Sequence, residues 1–189
     1  KVQNPNGSYE FKTETTDHPL LVDGSDINVS LNLEHRQKGL LWYSTYRVGF
    51  ASKYRVVNYT DEPREVYFDF AFPTTEGIYD NFRFIIGGRE EPNLQVVAGK
   101  LNGRLKLEPG KSEVVEVAYQ SHGLDEWWYD FGENVNQAKN FSLAMTTNFN
   151  QIDFPPSSIS ATKKEQTAEG WQLHWQYASL LSGVKIGMA

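Results

Sequence analysis

The amino-acid sequence predicts an all-β protein, an antiparallel two-sheet β-sandwich folded as a single domain over residues 1–189. Three observations carry this expectation. Apolar and polar residues alternate with period two in segment after segment, which sends successive side chains to opposite faces of a sheet. Aromatic residues make up 14% of the chain, and with the β-branched types they suit a pleated, half-buried surface. Clusters of Gly, Pro, Asn and Asp separate the alternating segments, a punctuation that fits strands packed in two sheets better than alternating β and α units.

Each element follows from its own pattern. Ile27, Val29, Leu31 and Leu33 alternate with Asn28, Ser30, Asn32 and Glu34, giving a strand with one dry and one wet face, and Gln37-Lys38-Gly39 reads as the turn after it. From Trp42 the series Trp42, Ser44, Tyr46, Val48 and Phe50 continues loosely to Tyr59. A bulge or bend near Gly49 or Ser52 is expected to divide so long a run, because glycine inside a strand often marks such a defect. Asp61-Glu62-Pro63 is the next turn. Val66, Phe68, Phe70 and Phe72 form another dry face, ended by Pro73, which has no N–H to give a ladder.

Phe82 to Ile86 follows and closes at Gly87-Gly88. Asn102-Gly103, between Leu101 and Leu105, predicts a hairpin, since both residues tolerate the positive φ of a type I′ turn. Glu108-Pro109-Gly110-Lys111 turns the chain again. Val115, Val117 and Tyr119 make a later strand, then Phe141, Leu143, Met145, Thr147 and Phe149, and finally Trp171, Leu173, Trp175 and Tyr177. The weak helical stretch, Glu133 to Lys139, carries no apolar stripe of useful width. Pro155-Pro156-Ser157-Ser158 reads as a loop inside the domain.

Composition narrows function. A formal charge of −6 and a pI near 5.2 provide no basic field for phosphate backbones, so no nucleic-acid partner is expected. The chain has no cysteine, which removes disulfides, thiolate metal sites and a cysteine nucleophile. No run approaches the roughly 18 apolar residues of a membrane-spanning helix, and no signal-peptide pattern opens the chain. Lys1 is not an initiator residue, so the expectation is a processed chain or one cut from a larger protein. His18, His35, His122 and His174 are scattered without the close spacing of a zinc motif, and no metal or cofactor is expected. No Gly-x-Ser-x-Gly elbow anchors a hydrolase triad, and Gly87-Gly88-Arg89 lacks the Gly-Lys-Ser that cradles phosphate, so no catalytic residue is assigned.

The most unusual segment is Leu124-Asp125-Glu126-Trp127-Trp128-Tyr129-Asp130-Phe131-Gly132. It interleaves three carboxylates with four aromatics, and Asp125, Glu126, Trp127, Trp128 and Asp130 are the candidate ligand-binding residues. Paired carboxylates beside aromatic platforms are how glycosidases hold sugar and move protons; the same composition suits a lectin-like face without catalysis. Hard-cation binding by Asp125, Glu126 and Asp130 lacks the regular Asp spacing of a calcium loop. Against these stands the commoner use of such residues, aromatics in the core and acidic residues in turns.

The C-terminal third carries Asn140-Phe141-Ser142-Leu143-Ala144-Met145-Thr146-Thr147-Asn148-Phe149, Ile152-Asp153-Phe154-Pro155, Gly170-Trp171-Gln172-Leu173-His174-Trp175, Leu181-Ser182-Gly183 and Ile186-Gly187. It resembles the extracytoplasmic region of CreD-like bacterial inner-membrane proteins. The resemblance covers about the last 50 residues, a fraction of an ordinary domain. It implies a domain on the periplasmic face of the inner membrane, joined to membrane helices by flanking segments, in a family associated with envelope stress. That family has no established enzymatic mechanism, so no catalytic residues carry over. The expected function is therefore a non-enzymatic extracytoplasmic sensing or interaction domain with a protein or glycan ligand. The alternative is a carbohydrate-binding module or small glycosidase that uses the acidic and aromatic segment 125–130.

Overall fold

The structure is a computed structural model describing residues 2–3, 9–10, 20, 22–38, 40–74, 77–92, 94, 96–97, 99–132, 137–181 and 183–188. Its elements are β1 (Val2–Gln3), β2 (Tyr9–Glu10), β3 (Gly24–Lys38), β4 (Leu41–Val57), β5 (Arg64–Ala71), β6 (Tyr79–Ile86), β7 (Arg89–Glu90) and β8 (Val96–Val97). They continue with β9 (Lys100–Leu107), β10 (Ser112–Leu124), β11 (Trp127–Tyr129), β12 (Gln137–Thr147), β13 (Lys163–Gln166), β14 (Trp171–Leu181) and β15 (Ile186–Met188). Every regular element among the described residues is a strand, as the alternation predicts.

The sheet arrangement differs from a clean antiparallel sandwich. Eight strands form one sheet in the order β13-β14-β12-β3-β4-β10-β6-β7, and it is mixed: β12 runs parallel to β3, pairing Phe141 with Ser25 through Thr147 with Leu31. A three-stranded sheet β5-β9-β8 and a ribbon β11-β15 form separately, and β1 pairs with β2. One apolar cluster unites the large sheet with the two small ones. Its aromatic contacts join the layers: Phe50 of β4 lies 5.6 Å from Phe70 of β5, and Tyr54 lies 5.2 Å from Phe68. The parallel pair escapes prediction because period two fixes which face of a strand is dry, not the direction of its neighbour.

The long run from Leu41 to Val57 is not divided. It pairs without a register shift against β3, from Lys38 with Leu41 to Gly24 with Arg55. Ser52 keeps its place on the buried face because its Oγ donates to the Val117 carbonyl at 3.2 Å. Gly49 is needed for proximity instead of bending, since a Cβ there would lie 2.6 Å from Ser30 Oγ. The irregularities sit in β10, where register shifts between His122 and Leu124 against β4, around Gly123 at φ +80°.

Asn102-Gly103 is not a turn either. Both residues lie inside β9, paired with Asp69 and Phe68 of β5. Gly103 lacks a side chain because the Phe84 ring occupies the space, a Cβ coming within 2.5 Å of it. The actual β6–β7 hairpin turns at Gly87-Gly88, with φ of +57° and +75°, the positive pair that a type I′ turn demands. Gly110, at φ +68°, completes the predicted turn between β9 and β10. Buried Asn58 ties that turn to its neighbour: its Nδ2 donates to the carbonyls of Glu62 (2.8 Å) and Leu107 (3.0 Å), and its own carbonyl accepts from Gly110. Gly39 of the predicted 37–39 turn and residues 133–136 of the weak helical stretch lie outside the described residues; Gln37 and Lys38 belong to β3, and 137–139 to β12.

Candidate functional site

The acidic and aromatic segment is a corner between two layers. The register shift near Gly123 turns Leu124 into the core, and the chain then leaves the large sheet through exposed Asp125 and Glu126 to enter β11. Alternation along β11 sends Trp127 and Tyr129 inward. Trp127 is fully enclosed, 6.4 Å from the Phe50 ring, and its Nε1 donates to the Tyr119 hydroxyl at 3.4 Å. Its ring is core and offers no face to a ligand.

Trp128 is half-buried and lies over Gly187 of β15, where a Cβ would approach the indole to 2.4 Å. Asp130 faces Lys185, whose Nζ stands 2.8 Å from its Oδ2, and accepts from the Gly132 amide at 3.0 Å. Burial works to raise the Asp130 carboxyl, but the Lys185 hydrogen bond and the Gly132 amide outweigh it and hold the group below its ordinary value. Of the five sequence-predicted residues, Asp125, Glu126 and Asp130 are exposed, Trp128 is half-exposed and Trp127 is not accessible. Asp130 is engaged within the fold by Lys185, as an acidic turn residue commonly is.

A different site emerges where β5 gives way to β6. β5 ends at Ala71, two residues before Pro73, and the chain crosses between the small and large sheets before Tyr79 starts β6. The crossing is held by the Tyr79 hydroxyl, which donates to the Thr74 carbonyl at 2.8 Å and accepts from the Thr74 amide at 3.1 Å. Gly77 is required beneath that hydroxyl, since a Cβ would come within 2.8 Å of it. Burial raises the pKa of Tyr79, keeping it a neutral hydrogen-bonding group.

Between this crossing and β8–β9 lies a cavity of about 380 Å³, lined by Phe72, Thr74, Gly77, Tyr79, Phe82, Leu94, Val96, Gly99 and Leu101. Among the described residues no charged side chain lines it. Leu101 is its floor, 1% exposed; Val96, 58% exposed, stands at its rim. The aromatic wall is fixed by mutual contact: Phe72 lies 4.4 Å from Tyr79 and 5.6 Å from Phe82, and Tyr79 meets Tyr119 edge-on at 5.0 Å. A volume of this size falls in the range of small-molecule sites, which run from about 300 to 1,000 Å³ with apolar walls and a few polar groups. The sequence signals it only faintly, as aromatics Phe72, Tyr79 and Phe82 placed around a Pro73-to-Gly77 crossing.

A second, shallow cavity of about 110 Å³ lies on the outer face of the large sheet. Small Ala51 and Ala118, paired across β4 and β10, leave a trough bounded by Asp26, Arg83 and the Lys53–Glu116 ion pair at 3.6 Å. Among the described residues no group of three or more His, Asp or Glu converges as a metal site would require, and no helix is long and apolar enough to cross a membrane.

No family model matches the sequence, and no curated protein matches it. Solved structures share the architecture. A putative nutrient binding protein from Legionella pneumophila superposes with a TM-score of 0.58 at 8% identity, over 90% of this chain and 68% of that one. An M1 zinc metallopeptidase from Deinococcus radiodurans superposes with a TM-score of 0.54 at 12% identity, over 92% of this chain and 43% of that one. The chain thus spans less than half of the metallopeptidase. At such identities the likeness shows a shared all-β fold.

Proposed function

We propose that this chain is a non-enzymatic binding module that receives a small apolar or aromatic molecule in the cavity between β5, β6 and β8–β9. The observation that carries the reading is the cavity itself: about 380 Å³, walled by Phe72, Tyr79 and Phe82, floored by Leu101 and, among the described residues, free of charged lining. Such a site gains affinity from burying apolar ligand surface. The name of the Legionella structure, a putative nutrient binding protein, is in keeping with binding without turnover. The likeness to the metallopeptidase does not bring its chemistry, because these 189 residues contain no His-Glu-x-x-His, the zinc motif of such enzymes. The CreD-like resemblance of the C-terminal third supports an extracytoplasmic setting for the module.

The test is methyl-detected NMR of the 189-residue chain against a panel of small apolar and aromatic compounds. Saturable shifts are expected at Leu94, Val96 and Leu101. Val96→Asp, at an exposed rim position, should weaken binding about tenfold, the factor that corresponds to roughly 1.4 kcal/mol, while leaving the thermal midpoint nearly unchanged. A panel that produces no saturable shift at these methyls, or a rim variant that binds as well as the parent chain, would overturn the assignment.

A further inference from the structure

The β3–β4 hairpin outruns the sheet that it belongs to. On one side the pairing of β12 with β3 stops at Leu31, and on the other the pairing of β10 with β4 stops at Tyr46. Asn148 adds one contact past that limit, its Oδ1 accepting from the Leu33 amide at 2.7 Å. Beyond it, from Glu34 opposite Thr45 to Lys38 opposite Leu41, the two strands have only each other as ladder partners among the described residues. These five paired levels extend roughly 15 Å at about 3.4 Å per residue. The arm is braced at its root by Arg47 and Glu34, 2.8 Å apart, and higher up by His35 Nδ1 and Ser44 Oγ, 3.3 Å apart. A two-stranded ribbon is marginal alone in water, so an arm of this kind gains stability from a surface that receives it.

Its tip is apolar, and the sequence of the arm is cationic. Leu40 is 96% exposed and Leu41 63%, the former the most exposed large apolar residue described. In sequence, Trp42 and Tyr43 follow directly, residue types that concentrate where lipid meets water. Residues 34–47 carry Arg36, Lys38 and Arg47 against the single carboxylate Glu34, in a chain whose net charge is −6. The segment that carries the exposed leucines is therefore opposite in sign to the chain as a whole. Apolar side chains beside cations are what an anionic bilayer surface attracts, the first by burial and the second by the surface potential.

We infer that the tip of the β3–β4 hairpin, centred on Leu40 and Leu41, is a membrane-contact element that inserts shallowly into a bilayer bearing anionic lipid. The contact is separate from the apolar cavity and stands whether or not that cavity binds a ligand. The experiment is co-sedimentation of the 189-residue chain with vesicles of phosphatidylcholine alone or mixed with phosphatidylglycerol. Binding is expected to the mixed vesicles, to weaken in high salt as screening shortens the electrostatic range, and to fall about tenfold in Leu40→Asp/Leu41→Asp with thermal stability retained. Leu40→Asn, at the 96% exposed position, asks the same question should the double variant fold poorly. Absence of vesicle binding, or binding undiminished by the tip substitutions, would overturn the inference. So would a concentration-dependent dimer that the substitutions abolish without any lipid binding, since the tip would then serve a second copy of the chain.

Discussion

Individual side chains divide cleanly between the two faces of the large sheet, and substitution should expose that division. Leu143 is fully buried and paired with Ile27 on one side and Trp175 on the other, whereas Gln172, three residues from Trp175 along β14, is exposed. Leu143→Asp places an unpaired charge in the core at a cost of several kcal/mol, against a typical stability of about 5 to 15 kcal/mol. It should lose the cooperative thermal transition, while Gln172→Asp should melt within a degree or two of the parent. Asp130 offers a gentler test. Its folded-state pKa is lowered, so the stability that it adds is present above the unfolded carboxylate pKa and is lost as pH falls through the folded value, in the acid range below about pH 4. Because the pair with Lys185 is substantially exposed, Asp130→Asn should cost under about 1 kcal/mol at neutral pH and nothing measurable in acid. Chemical denaturation at both pH values reads the difference. The dry faces were legible at this scale because alternation reports burial directly; Trp127 and Asp130 were not, because a corner between layers interrupts the period and leaves composition alone to suggest a site.

Elements were legible in place more than in connection. The runs from Ile27, Val66, Val115, Phe141 and Trp171 each became strands with the expected buried sides. The two local misreadings both turned on glycine. At Gly49 and Gly103 the missing Cβ serves close approach of a neighbouring side chain, and neither carries a positive φ; at Gly87 and Gly88 it serves backbone geometry. Sequence alone does not separate these uses, since both leave the same residue between apolar neighbours. The distinction is measurable. Gly103→Ala forces a methyl against the enclosed Phe84 ring and should cost about 1 to 3 kcal/mol by urea unfolding, as overpacked cores do. Asn102→Lys, at the exposed neighbouring position, should be nearly neutral. A turn at 102–103 would give the reverse ranking, because its positive φ would penalise the lysine.

At the scale of the whole molecule, the all-β class followed from composition and period, but the mixed order of the large sheet did not, because nothing local records which distant strands become neighbours. The cavity and the projecting hairpin arise at this same scale. One lies where the crossing from β5 to β6 meets β8 and β9, the other arises because β12 and β10 are shorter than the strands that they flank. The parallel pair has a further consequence for how the molecule is made. Ser25 meets Phe141 across it, so this edge of β3 leaves a ribosome before its partner and stays unpaired until more than a hundred further residues have been translated. Over that interval, at about 5 to 20 residues per second, Ile27, Val29 and Leu31 present an open strand edge of the kind that invites pairing with other chains. Vectorial synthesis thus leaves that edge of the nascent chain open until β12 arrives, and the step that closes the sheet is also the one that protects it.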